Sequence, residues 1–291
     1  MSKVRVITDS VAGIPKNLAD EYHISVVPAA NIIFNGHNYI DGVTLSAMEA
    51  YQLIKKDPDG FTTSALTPGY FLEEYRRISA EAQDMLHIAL SSALSANYKT
   101  ACLAAETLKS ESPKVNLRVF DSKTVAGAQG LIVLAAARAA AQEMDINHIA
   151  DVAEQTQQKT RGLMMLDTLR YVYRTGRMSK TASRIVSLLN IKPINRMTDE
   201  GTLELVDKVR KREDGYKKLI ELIKEEAGTE ALHFMIMHAA APEIADRFSE
   251  LLRQQFNCLS LIISEYSPVM GYGAGPGALF IGFHSELNLL K

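Results

Sequence analysis

Ser91, Ser92 and Ser95 stand in the run Leu90-Ser-Ser-Ala-Leu-Ser-Ala-Asn-Tyr98, directly after the apolar segment Met85-Leu-His-Ile-Ala89. A buried strand that ends in small hydroxyl residues and turns straight into a helix leaves backbone N–H groups unpaired, with Ser hydroxyls facing the same crevice. Such a corner binds anions. The same grammar recurs at Val4-Arg-Val-Ile-Thr8 before Asp9-Ser10, at Phe61-Thr62-Thr63-Ser64 before Pro68, and at Leu117-Arg-Val-Phe120 before Asp121-Ser122. The repetition predicts hydroxyls and carboxylates gathered along one edge of a parallel sheet, where open α/β folds bind ligands.

Other chemistry is weaker. Ser91 and Ser92 have no adjacent His or Lys to act as base, so serine catalysis needs a distant partner such as His238 or His87. Asp9 invites comparison with aspartyl-nucleophile phosphatases, but their second acidic residue is Val11 here. Thr67 before Pro68 reads as a helix cap. Gly176 marks a helix end in Leu169 to Ser179, with Arg170, Arg174 and Arg177 around it. Lys208, Arg210, Lys211 and Arg212 form a basic cluster that reads as a solvated charge run or a dock for an acidic partner. Gly271-Tyr272-Gly273-Ala-Gly275-Pro-Gly277 lets backbone approach a ligand closely but lacks the Lys-Ser/Thr ending of a phosphate-binding P-loop.

The elements that must position these residues alternate. Strands at Val4 to Thr8, Ser25 to Pro28, Met85 to Leu90 and Leu117 to Phe120 are interleaved with helices near Pro15 to Tyr22, Ser46 to Lys55, Pro68 to Ala82, Ser95 to Leu108 and Ala126 to Met144. That alternation predicts an α/β domain over residues 1–160, a mostly parallel sheet with flanking helices. The run Leu131 to Gln142 has so little side-chain bulk that it reads as a buried core helix. After a helix from Ile146 to Arg161, short strands and long helices predict a second, α+β domain over residues 161–291, with a hairpin turn at Asp199-Glu200-Gly201. The closing strand, Gly277 to Phe283, belongs to this second domain or returns to the first, and the ligand cleft lies between the two.

Composition narrows the partners. With 291 residues, 47% hydrophobic, 23% charged and a net charge of −2, the chain reads as an ordinary globular protein with no field to hold a polyanion, so no nucleic acid is expected. Cys102 and Cys258 are far apart without metal-ligand spacing, and each reads as a small buried apolar residue in a reducing, cytoplasmic setting. The most apolar stretch, Leu131 to Ala141, is interrupted by Arg138 and falls short of the ~20 residues of a membrane span. No integral membrane segment, metal or cofactor is expected.

Taken in order, Ile7-Thr-Asp9-Ser10, Tyr39-Ile-Asp41-Gly42, Thr63-Ser64 with Pro68, Ser91 to Tyr98, Asp121-Ser122, Leu169 to Ser179 and Gly275-Pro-Gly277 resemble the DegV family of bacterial fatty acid-binding proteins. The resemblance implies a long-chain fatty acid buried between the domains and no catalytic residue. It implies a carboxylate clamp on Thr63 and Ser92, with Ser64, Ser91 and Ser95 close by. Asp9, Asp41, Asp121, Arg177, Arg210, His238, Tyr272, Gly275 and Gly277 would then organise the cleft or dock a partner. In relatives that work with a fatty acid kinase, the binding protein presents the carboxyl group for phosphorylation on the way to phospholipid. A regulatory module reporting lipid status is compatible with that role. The competing reading is a hydrolase of small acyl or phosphate compounds, using Ser92 or Asp9 with His238 as base.

The chain departs from the family pattern at Ala65-Leu66, where Gln-Pro is common, at Ala93 and Ala96 in place of Gly, and at Thr175 in place of the first residue of a Gly-Gly pair. Gly273 stands where relatives often carry a His that contacts the carboxyl group. Burying an acyl chain of about sixteen carbons gains roughly 12 kcal/mol, at about 0.8 kcal/mol per methylene. One hydrogen bond to a charged group is worth about 1.5 to 3 kcal/mol. Lipid binding is therefore expected to survive without the histidine, while presentation to a kinase is the step exposed to its loss. Tyr272 or His238 is expected to compensate.

Overall fold

A computed structural model describes residues 3–177 and 191–286. The chain begins with β1 (Val4–Asp9), a single 3-10 turn at Ser10–Ala12, α1 (Lys16–Glu21) and β2 (Ser25–Val27). A hairpin of β3 (Asn31–Phe34) and β4 (His37–Ile40) follows, then α2 (Ala47–Lys56), β5 (Phe61–Ser64), α3 (Pro68–Ser79) and β6 (Asp84–Ala89). Next come α4 (Asn97–Glu111), β7 (Asn116–Asp121), α5 (Ala126–Ala141) and α6 (Ile146–Lys159). The second lobe opens with β8 (Arg161–Met165), α7 (Arg170–Thr175), β9 (Lys192–Met197), β10 (Leu203–Val209) and α8 (Arg212–Ala227). It closes with β11 (Leu232–His238), α9 (Pro242–Gln255), β12 (Cys258–Glu265), α10 (Pro268–Ala274) and β13 (Leu279–Ser285).

The fold is α/β with a second, mixed-sheet lobe. The first sheet is parallel in the order β2-β1-β6-β7, with Val6 opposite Leu86 and His87 opposite Val119. The second has six strands in the order β10-β9-β8-β13-β11-β12, antiparallel except between β11 and β12. β13 therefore sits inside the second sheet, between β8 and β11.

One expectation is corrected. β5, which carries Thr63 and Ser64, belongs to a separate antiparallel sheet, β4-β3-β5, and not to the edge of the parallel one. The reason is local: Asn35 and Gly36 both have positive φ, 48° and 84°, as in the turn that closes a tight two-residue hairpin. That hairpin offers its free β3 edge to β5.

Helix α5 explains why the lobes stay together. It lies between the sheets, packed on β1 and β6 from one side and on β11 and β13 from the other. Its Ala and Gly side chains permit that approach: a Cβ on Gly127 would lie 2.3 Å from the Met235 carbonyl oxygen, and one on Gly130 2.6 Å from that of Ala12. The core-helix reading of this segment holds. The hairpin expected at Asp199 to Gly201 also forms, with Gly201 N–H donating to the Thr198 carbonyl and Thr198 N–H to that of Thr202. Thr67 caps α3 through the Tyr70 N–H. The cysteines differ from expectation: both are free and half-buried, Cys102 on α4 and Cys258 at the start of the edge strand β12.

Candidate functional site

A cavity lies between the lobes. One wall comes from Val11, Ala29, Ala30, Leu90, Leu94 and Val125 of the first lobe, the other from Met164, Val172 and Leu203 with Val269, Met270 and Tyr272 to Ala274 of the second. Its volume, including the open mouth, is about 850 Å³. Most of the lining is apolar, which suits an acyl chain.

Polar groups gather in the same cavity: Thr63 and Ser64 from β5, Ser95 ahead of α4, Thr175 at the end of α7, and Arg177. Among the described residues the Thr63 and Ser64 hydroxyls have no hydrogen-bond partner, whereas Ser95 Oγ accepts the Asn97 N–H at 3.2 Å and keeps its own proton free to donate. Thr175 donates to the Val172 carbonyl at 2.7 Å. Arg177 Nε reaches the Leu94 carbonyl at 3.4 Å and its Nη1 donates to that of Thr175, so the guanidinium rests across the seam between the lobes. Three donor hydroxyls and a guanidinium in the lining of one apolar cavity, with Ser64 and Arg177 on its exposed side, supply the groups that can hold a carboxylate.

The structure separates the remaining hydroxyls from this group. Ser91 is buried and donates to the Gly201 carbonyl at 2.7 Å, locking the hairpin turn onto the loop after β6. Ser92 is exposed and outside the cavity lining, and its backbone N–H donates to Asp121 Oδ1 at 3.1 Å. Asp121 also accepts the Lys123 N–H, so it caps a turn.

Two buried carboxylates stand behind the first-lobe wall. Asp9 accepts from the Leu90 N–H at 2.7 Å, the Val11 N–H at 3.1 Å and Gln129 Nε2 at 3.1 Å. Burial outweighs these bonds and pushes its carboxyl up to about 6. Asp41 accepts from the Ser10 hydroxyl and from the Val269 N–H at 2.8 Å, and burial raises it as well.

The other candidates have structural partners. His238 is lowered by desolvation, its Nδ1 accepts the Ala241 N–H at 3.3 Å, and it does not line the cavity. The Tyr272 ring does line it, stacked on Phe61 with centroids 5.3 Å apart, but its hydroxyl donates to the Phe61 carbonyl at 3.1 Å. Arg174 also lies over that ring, its guanidinium carbon 4.8 Å from the centroid. Gly275 and Gly277 have φ of 80° and 83°, and added Cβ atoms would strike Tyr171 and Asp167. Arg210 sits exposed in the bend after β10, away from the cavity. Met178 and Ser179 lie outside the described residues. Thr175 and the apolar lining were not singled out as site residues in the sequence. Thr175 had a signal, a hydroxyl beside the helix-ending Gly176; the apolar positions are scattered over many segments and had none. Among the described residues no group of three or more His, Cys, Asp or Glu could hold a metal ion, and no helix is long and apolar enough to cross a membrane.

Comparison with known proteins places the whole chain in one family. The DegV family model matches residues 3–286. A DegV domain-containing protein of Caldanaerobacter subterraneus is 31% identical over 291 residues, covering 98% of this chain and 100% of that protein. The crystal structure of DegV from Bacillus subtilis, described as a fatty acid binding protein, is 26% identical with a TM-score of 0.85, over 98% of this chain and 100% of that one. The fatty acid kinase B3 protein of Streptococcus pneumoniae, loaded with linoleic acid, has a TM-score of 0.86 at 19% identity, over 98% and 100%. The match runs through both lobes and every wall of the cavity, so the chain belongs to the DegV family.

Proposed function

We propose that this chain binds one long-chain fatty acid in the inter-lobe cavity and presents its carboxyl group to a fatty acid kinase, itself catalysing nothing. The observation that carries the reading is the mainly apolar cavity between the lobes whose lining includes the Thr63 and Ser64 hydroxyls, unpartnered among the described residues. The acyl chain contributes most of the affinity, at about 0.8 kcal/mol per methylene buried. The hydroxyls of Thr63, Ser64 and Ser95, with Arg177, orient the carboxylate. The Bacillus subtilis fatty acid binding protein and the linoleic acid-loaded fatty acid kinase B3 protein of Streptococcus pneumoniae support the ligand class and the kind of partner. A hydrolase reading finds no support, since His238 is held by the Ala241 N–H away from the lining.

Mass spectrometry of an organic extract from natively purified protein tests this. One fatty acid per chain is expected, and Thr63→Ala with Ser64→Ala is expected to weaken binding roughly 10- to 100-fold for each hydroxyl lost. A wild-type protein that stays empty after incubation with fatty acids would sink the reading.

Gly273 offers a second test. A Cβ there would meet only Thr175 Cγ2, at 3.9 Å, so a larger side chain can enter the cavity. Gly273→His is expected to bind fatty acid about tenfold tighter below pH 6.5, where the imidazole is charged, with the gain shrinking above it. Titration with a fluorescent fatty acid across pH would show either that slope or a flat, unimproved affinity, the second arguing against a carboxylate beside Gly273.

A further inference from the structure

Asp41 does not line the cavity, yet two of its hydrogen bonds end on residues that form the cavity walls and a third reaches a wall residue through Ser10. Its backbone N–H donates to the carbonyl of Ala30 at 3.1 Å. Oδ2 accepts from Ser10 Oγ, and Ser10 Oγ in turn accepts the Ala29 N–H at 3.0 Å. Oδ1 accepts the Val269 N–H at 2.8 Å. Ala29 and Ala30 belong to the first-lobe wall and Val269 to the opposite one, while Ser10 and Asp41 stand behind the lining. The carboxylate is 1% exposed. A buried carboxylate accepts only, so it fixes the direction of every bond in this chain, and it is costly to bury unless those bonds are made.

Resting on the proposed fatty acid binding, we infer that Asp41 is a positioning residue for ligand retention: through Ser10 and the Val269 N–H it clasps the two walls and sets the width of the cavity. Apolar walls hold an acyl chain by close contact along its length, and contacts between carbons weaken steeply when a gap of even about half an ångström opens. Loosening one clasp behind the wall therefore acts on every methylene at once. The effect is on the rate at which the chain escapes rather than on the carboxylate clamp.

The test is stopped-flow release of a bound fluorescent polyene fatty acid from the wild type, Asp41→Asn, Ser10→Ala and the double variant, each titrated for sites per chain. Asp41→Asn keeps the shape and an acceptor for Val269 but turns an N–H₂ toward Ser10; Ser10→Ala removes the other link without touching the lining. Release about tenfold faster is expected in each single variant, and no faster in the double, because both cut the same chain of bonds. A fold defect alone would lower the number of sites and leave the rate from each remaining site at the wild-type value, which would overturn the inference, as would wild-type release from fully occupied variants. A wild type that binds no probe would instead defeat the proposed function itself.

Discussion

Gly282→Ala is expected to lower stability by at least about 3 kcal/mol, because its added Cβ would meet backbone that has nowhere to go. That Cβ would lie 2.3 Å from the Ala128 nitrogen, 2.4 Å from the Gly127 carbonyl carbon and 2.7 Å from the Ala128 Cα. All three belong to α5, which is pinned on its far side by β1 and β6 and cannot retreat. Separating α5 from β13 would also disturb Val125, the residue just ahead of α5 that lines the cavity. Gly176→Ala is the contrast: a Cβ there meets nothing within 4 Å, and only the positive φ of 71° opposes it, for about 1 to 2 kcal/mol. Urea unfolding of both variants checks the pair. A Gly282→Ala midpoint no lower than that of Gly176→Ala would show that the sheets are not clamped on α5.

The second large effect is with acid. His87 is fully enclosed, its Nδ1 lies 2.6 Å from the Tyr75 hydroxyl, and desolvation drives its pKa down to about 3. His284 is lowered to about 4, also chiefly by burial. In the unfolded chain each titrates near 6.5, so below that pH the unfolded state binds more protons and native stability falls with pH. The loss begins as pH drops through about 6.5 and continues to about 4 for His284 and 3 for His87, at about 1.4 kcal/mol per pH unit for each. Asp9 works in the other direction: its raised carboxyl takes up a proton in the native state first, so it returns stability between about pH 6 and 4. Asp41, also raised by burial, acts in the same direction as Asp9, while His233 and His238, also lowered by burial, act with the first two histidines. Four histidines against two aspartates leave a net decline, expected as a urea midpoint that falls steadily from pH 6.5 to 4.5. His87→Phe leaves the Tyr75 hydroxyl without its partner at every pH but removes one proton site, so its midpoint is expected to be lower at pH 7 and to fall less on acidification. A slope unchanged by the substitution would show that His87 is not kept neutral in the native protein.

Much of the architecture was legible because local geometry determines it. The capping of α3 by Thr67, the Asp199 to Gly201 hairpin turn and the bulk-free α5 each follow from residues within a few positions of one another, whose hydrogen bonds or volumes the rest of the protein need only accept. The β3–β4 hairpin was equally available in Asn35-Gly36, since both residues tolerate positive φ, but four-residue strands show too little alternation to stand out.

The hydroxyl-rich strand ends marked the segments from which the site is built, and Thr63, Ser64 and Ser95 do line one cavity. The sequence by itself determined that small donors would follow buried strands, because a strand that stops at a helix must leave backbone and hydroxyl groups for something to use. Which hydroxyl faces the cavity was decided only by tertiary structure. Ser91 turns to the Gly201 carbonyl, 110 positions away in the chain, and β5 leaves the parallel sheet for the edge of a hairpin. The cavity itself has no local signature, since its walls meet only when α5 draws two sheets to within the thickness of an alanine helix.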